Sequence, residues 1–127
     1  MLLEEMIHAY WRDSMPLRSA VPLERFFTGP APIPVVPCVV LVNEKTDVLF
    51  RSSRASAWRK IALRFELHHE SLERGIEIAR LIDQSFDRLN LREPHENWSF
   101  LFRYVGGENL CTDNGVWKFV RRFQLIG

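Results

Sequence analysis

The order of apolar residues predicts an α+β domain: a roughly four-stranded antiparallel or mixed sheet with one long helix packed on it, a short N-terminal helix, and an extended arm between two strands. Three observations carry this. Ile61, Leu63, Phe65 and Leu67 alternate with Lys60, Ala62, Arg64 and Glu66, the period of a strand with one wet face. The period then changes abruptly, and Leu72, Ile76, Ala79, Ile82, Phe86 and Leu89 recur at helical spacing behind Ser71, a suitable N-cap. Finally, Trp117, Phe119, Arg121, Phe123 and Leu125 restore the alternation up to the last residues. A length of 127 residues suits one domain over 1–127, since two cores would leave too little chain for either.

Taken in order, Leu3, Met6, Ile7, Tyr10 and Trp11 form the apolar stripe of a first amphipathic helix, and Pro16 is expected to stop it. The proline-dense stretch from Pro22 to Pro37 excludes a regular helix, although Arg25–Thr28 reads as a short edge strand within it. Cys38–Val42 is continuous and β-branched, the signature of a strand buried on both faces. Residues 44–58 are polar and basic with one apolar island at Val48, Leu49 and Phe50, which predicts an arm or long hairpin excursion. Beyond the long helix, Trp98, Phe100, Phe102 and Tyr104 mark a strand expected to end at Gly106-Gly107. Asp113-Asn114-Gly115 supplies the turn into the last strand. Trp98, Phe100, Phe102, Trp117, Phe119 and Phe123 are the expected filling between sheet and helix.

With 46% hydrophobic and 26% charged residues the composition is that of a globular chain, and disordered or collagen-like polymers are excluded. The longest apolar run, Val35 to Val42, falls far short of the roughly 20 residues of a membrane helix. Glu4 and Glu5 stand where an export signal carries lysine or arginine, and the two cysteines, Cys38 and Cys111, build no disulfide framework; reduced thiols in a cytosolic setting are expected.

The formal charge of +1 conceals two opposite stretches. From Glu44 to Arg64 six basic residues face two acidic ones, and from Glu66 to Glu96 eight acidic residues face four arginines. Both read as solvated surface or, more sharply, as a basic face of one copy meeting an acidic face of the next. Phe50, Arg51, Arg54, Trp58 and Arg59 on the arm, and Glu70, Glu73 and Glu77 at the start of the long helix, are the residues such a contact would use. Arg51 and Arg54 would also suit a phosphate backbone, but the near-zero total charge and the lack of a nucleic-acid motif make that the weaker expectation.

Catalytic signatures are missing. His68 and His69, as strand neighbours, point to opposite faces and cannot both bind one ion unaided. Cys111 has no local group to lower its pKa, Cys38 reads as a core residue, and Gly106-Gly107 lacks the lysine and following helix of a phosphate loop. Neither metal nor cofactor is expected.

The order of elements, together with Arg25-Phe26-Phe27-Thr28-Gly29-Pro30-Ala31-Pro32, Pro37–Val42, the helix bearing Ile76, Ala79 and Ile82, and the closing Asp113-Asn114-Gly115-Val116-Trp117, resembles the tail-completion (tail-terminator) proteins at the head–tail junction of tailed phages and prophages. The resemblance implies a non-enzymatic virion subunit, assembled in the host cytoplasm into a ring, typically a hexamer. Such a ring caps the tail tube, receives the head connector and passes DNA through its lumen, with no membrane involved. A head-side neck or adaptor protein shares these features and stays open as an alternative. A small enzyme would need convergent polar groups, such as a deep pocket joining His68 and Cys111.

Overall fold

A computed structural model describes residues 2–29, 35–51, 57–94, 99–112 and 114–127, with the backbone alone for Phe50, Arg51 and Ala57. The element order is α1 (Leu3–Asp13), α2 (Met15–Ala20), a 3-10 turn (Leu23–Arg25), β1 (Phe26–Thr28), β2 (Cys38–Arg51), β3 (Ala57–His69), α3 (Leu72–Phe86), β4 (Asn90–Arg92), β5 (Ser99–Cys111) and β6 (Trp117–Ile126). The strands form one sheet in the order β1-β2-β3-β6-β5-β4, antiparallel except for the parallel β1–β2 pair. The class is α+β as expected, with six strands in place of four. The two extra strands, β1 and β4, are three-residue edge pieces. β1 matches the short edge strand expected near Phe26; β4 is too short to leave a period in the sequence.

Three boundaries also differ. Pro16 does not end helical structure but begins α2, because a proline in the first turn gives up a donor that would be unpaired anyway. Ser14 caps that helix, its Oγ accepting from Leu17 N–H at 3.4 Å. Gly106-Gly107 does not close β5: the strand runs on to Cys111 through a bulge between Tyr104 and Gly106, where Gly106 takes φ 151°. α3 ends at Phe86, three residues before the last apolar position of its stripe, yet Leu89 still packs on the core.

All three helices cover one face of the sheet. The odd-numbered residues of β3, Ile61, Leu63, Phe65 and Leu67, point into that layer with Phe119, Phe123 and Leu125 from β6. Phe86 is the hub: its ring lies 4.7 Å from Phe65, 5.6 Å from Phe102 and 5.2 Å from Tyr10 between centroids. Trp11 is fully buried and donates its indole N–H to Val21 C=O at 2.9 Å, which ties α1 to the end of α2. Of the aromatics expected in the core, Phe100, Phe102, Phe119 and Phe123 are buried and Trp117 packs at the margin; Trp98 lies outside the described residues.

Candidate functional site

The arm is a two-stranded ribbon. β2 and β3 remain paired through Phe50↔Trp58 and Arg51↔Ala57, while the next strand, β6, stops at Ile126 opposite Lys60. Arg59 and Gly127 exchange backbone hydrogen bonds at 2.7 and 3.1 Å, and past that point the hairpin projects alone. Its side chains are wet: Val48 is 47%, Leu49 55% and Trp58 58% exposed. Among the described residues, none between Val42 and Lys60 belongs to the buried core.

Not every charge counted along the sequence is available at this surface. On the sheet face away from the helices, Arg64 donates to Glu44 at 2.8 Å and to Glu66 at 3.1 Å, and Lys118 reaches the other oxygen of Glu66 at 2.8 Å. Arg122 bonds Glu108 at 2.9 Å and approaches Glu44 at 3.9 Å. Three cations and three carboxylates thus form one ladder across four strands. Burial is the largest single influence on Glu66 and would raise its pKa, but the hydrogen bonds and charges of Lys118 and Arg64 together hold it below the ordinary value. Lys45 pairs with Asp47 at 3.6 Å, and the Arg59 guanidinium lies 5.3 Å from the Phe100 ring centroid.

The acidic stretch thins in the same way. Arg74 pairs with Glu77 at 2.8 Å, Asp87 accepts from Tyr104 N–H at 2.9 Å, and Glu93 is buried. Glu70 and Glu73 are exposed at the start of α3. Of the sequence-derived candidates, Trp58 and Arg59 lie at the base of the free hairpin, the backbones of Phe50 and Arg51 lie on it, and Arg54 falls outside the described residues. Glu70, Glu73 and Glu77 sit at the far end of β3. Twelve residue steps at about 3.3 Å, roughly 40 Å of strand, separate Trp58 from Glu70, so the ribbon and the start of α3 stand at opposite ends of β3.

A groove of about 860 Å³ opens on the helix-free face, floored by Val40, Glu66 and His68 and walled by Val35, Val36 and Val116. Cys38 stands directly across from His68 in the β2–β3 register, a juxtaposition sequence spacing did not reveal. Burial pushes the Cys38 thiol up and His68 down, so both are held neutral, and no activated thiolate results. Cys111 is exposed at the end of β5, its thiol 3.6 Å from Thr112 C=O. His69 is turned to the chain itself, its Nδ1 accepting from Ser71 N–H at 2.9 Å. Among the described residues no three His, Cys, Asp or Glu side chains converge as metal ligands, and no helix is long and apolar enough to cross a membrane.

The fold therefore defines an α+β protein whose helices and core lie on one side of a sheet, with a charged ladder on the other side and a ribbon projecting from one end. The fold is similar to that of a solved structure, a chain of the virion of native gene transfer agent (GTA) particle, with a TM-score of 0.73 over 98% of this chain and 92% of that chain. At 10% identity the likeness is one of fold. No protein-family model matches the sequence, and no curated protein matches it.

Proposed function

We propose that this chain is a structural subunit of a phage-like particle, and that copies of it form a hexameric ring that terminates the tail tube and joins it to the head connector. The observation that carries the proposal is the near-complete fold likeness to a chain of a gene transfer agent virion, over 98% of this chain at a TM-score of 0.73. The projecting ribbon supports it: exposed Val48, Leu49 and Trp58 on an element that adds nothing to the buried core suit a contact with another protein. Basic ribbon and acidic helix start, at opposite ends of β3, suit a heterologous contact in which one face of a copy meets a different face of its neighbour. Charge complementarity there sets register and discourages wrong docking more than it supplies affinity.

In this reading the partners are further copies, the tail tube protein and the connector; DNA passes the lumen without being read, and no bond is made or broken. The protein resides at the head–tail junction of the particle, after assembly in the host cytoplasm. The test is the size of the purified chain in solution, by light scattering, and its image by negative-stain microscopy. A closed ring is expected for the wild type, and a folded monomer for the double variant Arg51→Glu/Arg54→Glu. A wild-type chain that is monomeric at every concentration sinks the ring; a ring that persists in the double variant removes the ribbon arginines from the contact.

A further inference from the structure

The sheet leaves main-chain groups unpaired at two diagonally opposite corners. On one side β1 covers β2 only at Val39–Leu41, and among the described residues nothing pairs with the outer edge of β2 beyond that point up to Arg51. On the other side β4 covers β5 only at Ser99–Leu101, Arg88 and Leu89 bond Phe102, and Asp87 takes the Tyr104 N–H. From Val105 to Cys111 the outer edge of β5 is unpaired among the described residues. Long free edges of this kind are templates for an added strand, and monomeric proteins commonly blunt or cover them.

The outward-pointing amides follow from the ladder. Arg59 exchanges hydrogen bonds with Gly127, so odd-numbered residues in that part of β3 face β6 and even-numbered ones face β2. Lys45 and Asp47, opposite Ala62 and Lys60, therefore point inward, and Thr46 and Val48 point out. By the same alternation Glu108 and Leu110, opposite Val120 and Lys118, point toward β6, while Gly107, Asn109 and Cys111 point out. Exposed apolar side chains flank both edges, Val48 and Leu49 on β2 and Val105 and Leu110 on β5.

We propose that the free edge of β2 in one copy takes the free edge of β5 in the next as an added strand, so that the sheet continues from subunit to subunit. The inference rests on the ring reading and specifies its contact. Closure selects the pairing: β2 of the ribbon against β2, or β5 against β5, would be isologous and stop at a dimer, whereas β2 against β5 leaves one free edge of each kind. The Val105–Cys111 stretch carries Glu108 as its only charged side chain, neutralised by Arg122, and opposes nothing to that ribbon. The two edges lie on opposite sides of the sheet, so the contact is heterologous and propagates. Each is the C-terminal part of its strand, and because β2 and β5 run in opposite directions the two edges lie at opposite ends of the sheet, so successive copies are staggered, the offset that tilts strands when a sheet closes on itself.

The test blocks one edge at a time. Val48→Pro removes an outward N–H of β2, and Asn109→Pro one of β5, each on an edge where proline leaves the internal ladder intact; Thr46→Pro serves if Val48→Pro unfolds, as circular dichroism reports. Each variant alone is expected to be a folded monomer, and an equimolar mixture a heterodimer that grows no further, because one competent β2 edge and one competent β5 edge remain. Hydrogen exchange gives a readout free of substitutions: the amides of Thr46, Val48, Gly107 and Asn109 should exchange at least tenfold more slowly in the wild-type ring than in the dissociated chain. Wild-type rings that persist in both variants, or unprotected edge amides in the ring, overturn strand addition and leave the ring reading standing. A single variant that still dimerises overturns the β2-to-β5 pairing, and a monomeric wild type overturns both readings.

Discussion

Asp83 on α3 faces Arg121 on β6 at 3.9 Å, too far for a hydrogen bond, and its Oδ1 and the Arg121 Nε are both buried without a hydrogen-bond partner. Burial pushes its pKa up to about 6; Arg121 opposes the rise and nearby Asp87 adds to it. An unfolded aspartate releases its proton near 3.9, so the folded chain binds this proton the more tightly. Its favourable contribution is complete below about pH 4 and is lost as the pH rises through 6, a change of at most about 3 kcal/mol for two pH units. Asp83→Asn should therefore be more stable than wild type at pH 7.5, by about 1 kcal/mol, with the difference vanishing near pH 4 in denaturant titrations. Destabilisation at pH 7.5 would show that the Arg121 attraction outweighs the burial. Glu66 has the opposite sign: its lowered pKa supplies stability above the ordinary carboxylate range and withdraws it as the pH falls. Neither role was legible in the sequence, where both residues counted only as acids in a run. The partners that decide them, Arg121 for Asp83 and Lys118 foremost for Glu66, come from β6, and the 38-residue step that brings Arg121 to Asp83 leaves no local pattern.

At the scale of elements, α3 was the most legible part of the chain and contains one residue that the stripe alone would misjudge. Gly75 lies in the first half of the helix, where glycine costs roughly 1 kcal/mol relative to alanine. It is buried, and a Cβ placed there would overlap the Phe119 ring from β6. The missing side chain lets the helix settle onto the sheet. Gly75→Ala is accordingly expected to destabilise by about 1–3 kcal/mol through overpacking, against the gain its helix propensity promises, and a lowered unfolding midpoint at unchanged slope would record it. A raised midpoint would mean that Phe119 swings aside at little cost. Helix periodicity is a local property and survives translation into structure, as do the alternations of β3 and β6. What failed was local in appearance only. Pro16 reads the same whether it closes one helix or opens the next, and the deciding feature is Ser14 acting as cap to Leu17. The glycines at 106 and 107 look like a stop, but β6 supplies partners up to Cys111 and the strand continues through them.

For the molecule as a whole, the buried core and the projecting ribbon are separate parts. The buried core gathers the helix-facing residues of the sheet, α1, α2 and α3, and takes nothing from the described residues between Val42 and Lys60. The ribbon that these residues form extends beyond Gly127 with apolar side chains in water, an arrangement that costs solubility and, among the described residues, adds no buried side chain to the core. Its candidate arginines were legible from composition alone; that it is a paired ribbon with a free edge, and that Arg64 at its base is already held by Glu44 and Glu66, depends on the β2–β3–β6 register. Replacing residues 50–57 by Asn-Gly, a two-residue turn suited to joining antiparallel strands, should therefore leave a folded chain whose melting temperature lies within about 3 °C of wild type. The same variant should have lost the ring, because Arg51, Arg54 and the end of the β2 edge go together, while Val48, Leu49 and Trp58 stay in place. Calorimetry and light scattering on one sample read both quantities. A fall of ten degrees or more would make the ribbon a structural brace of its own domain, and an intact ring would place the contact between copies elsewhere on the sheet.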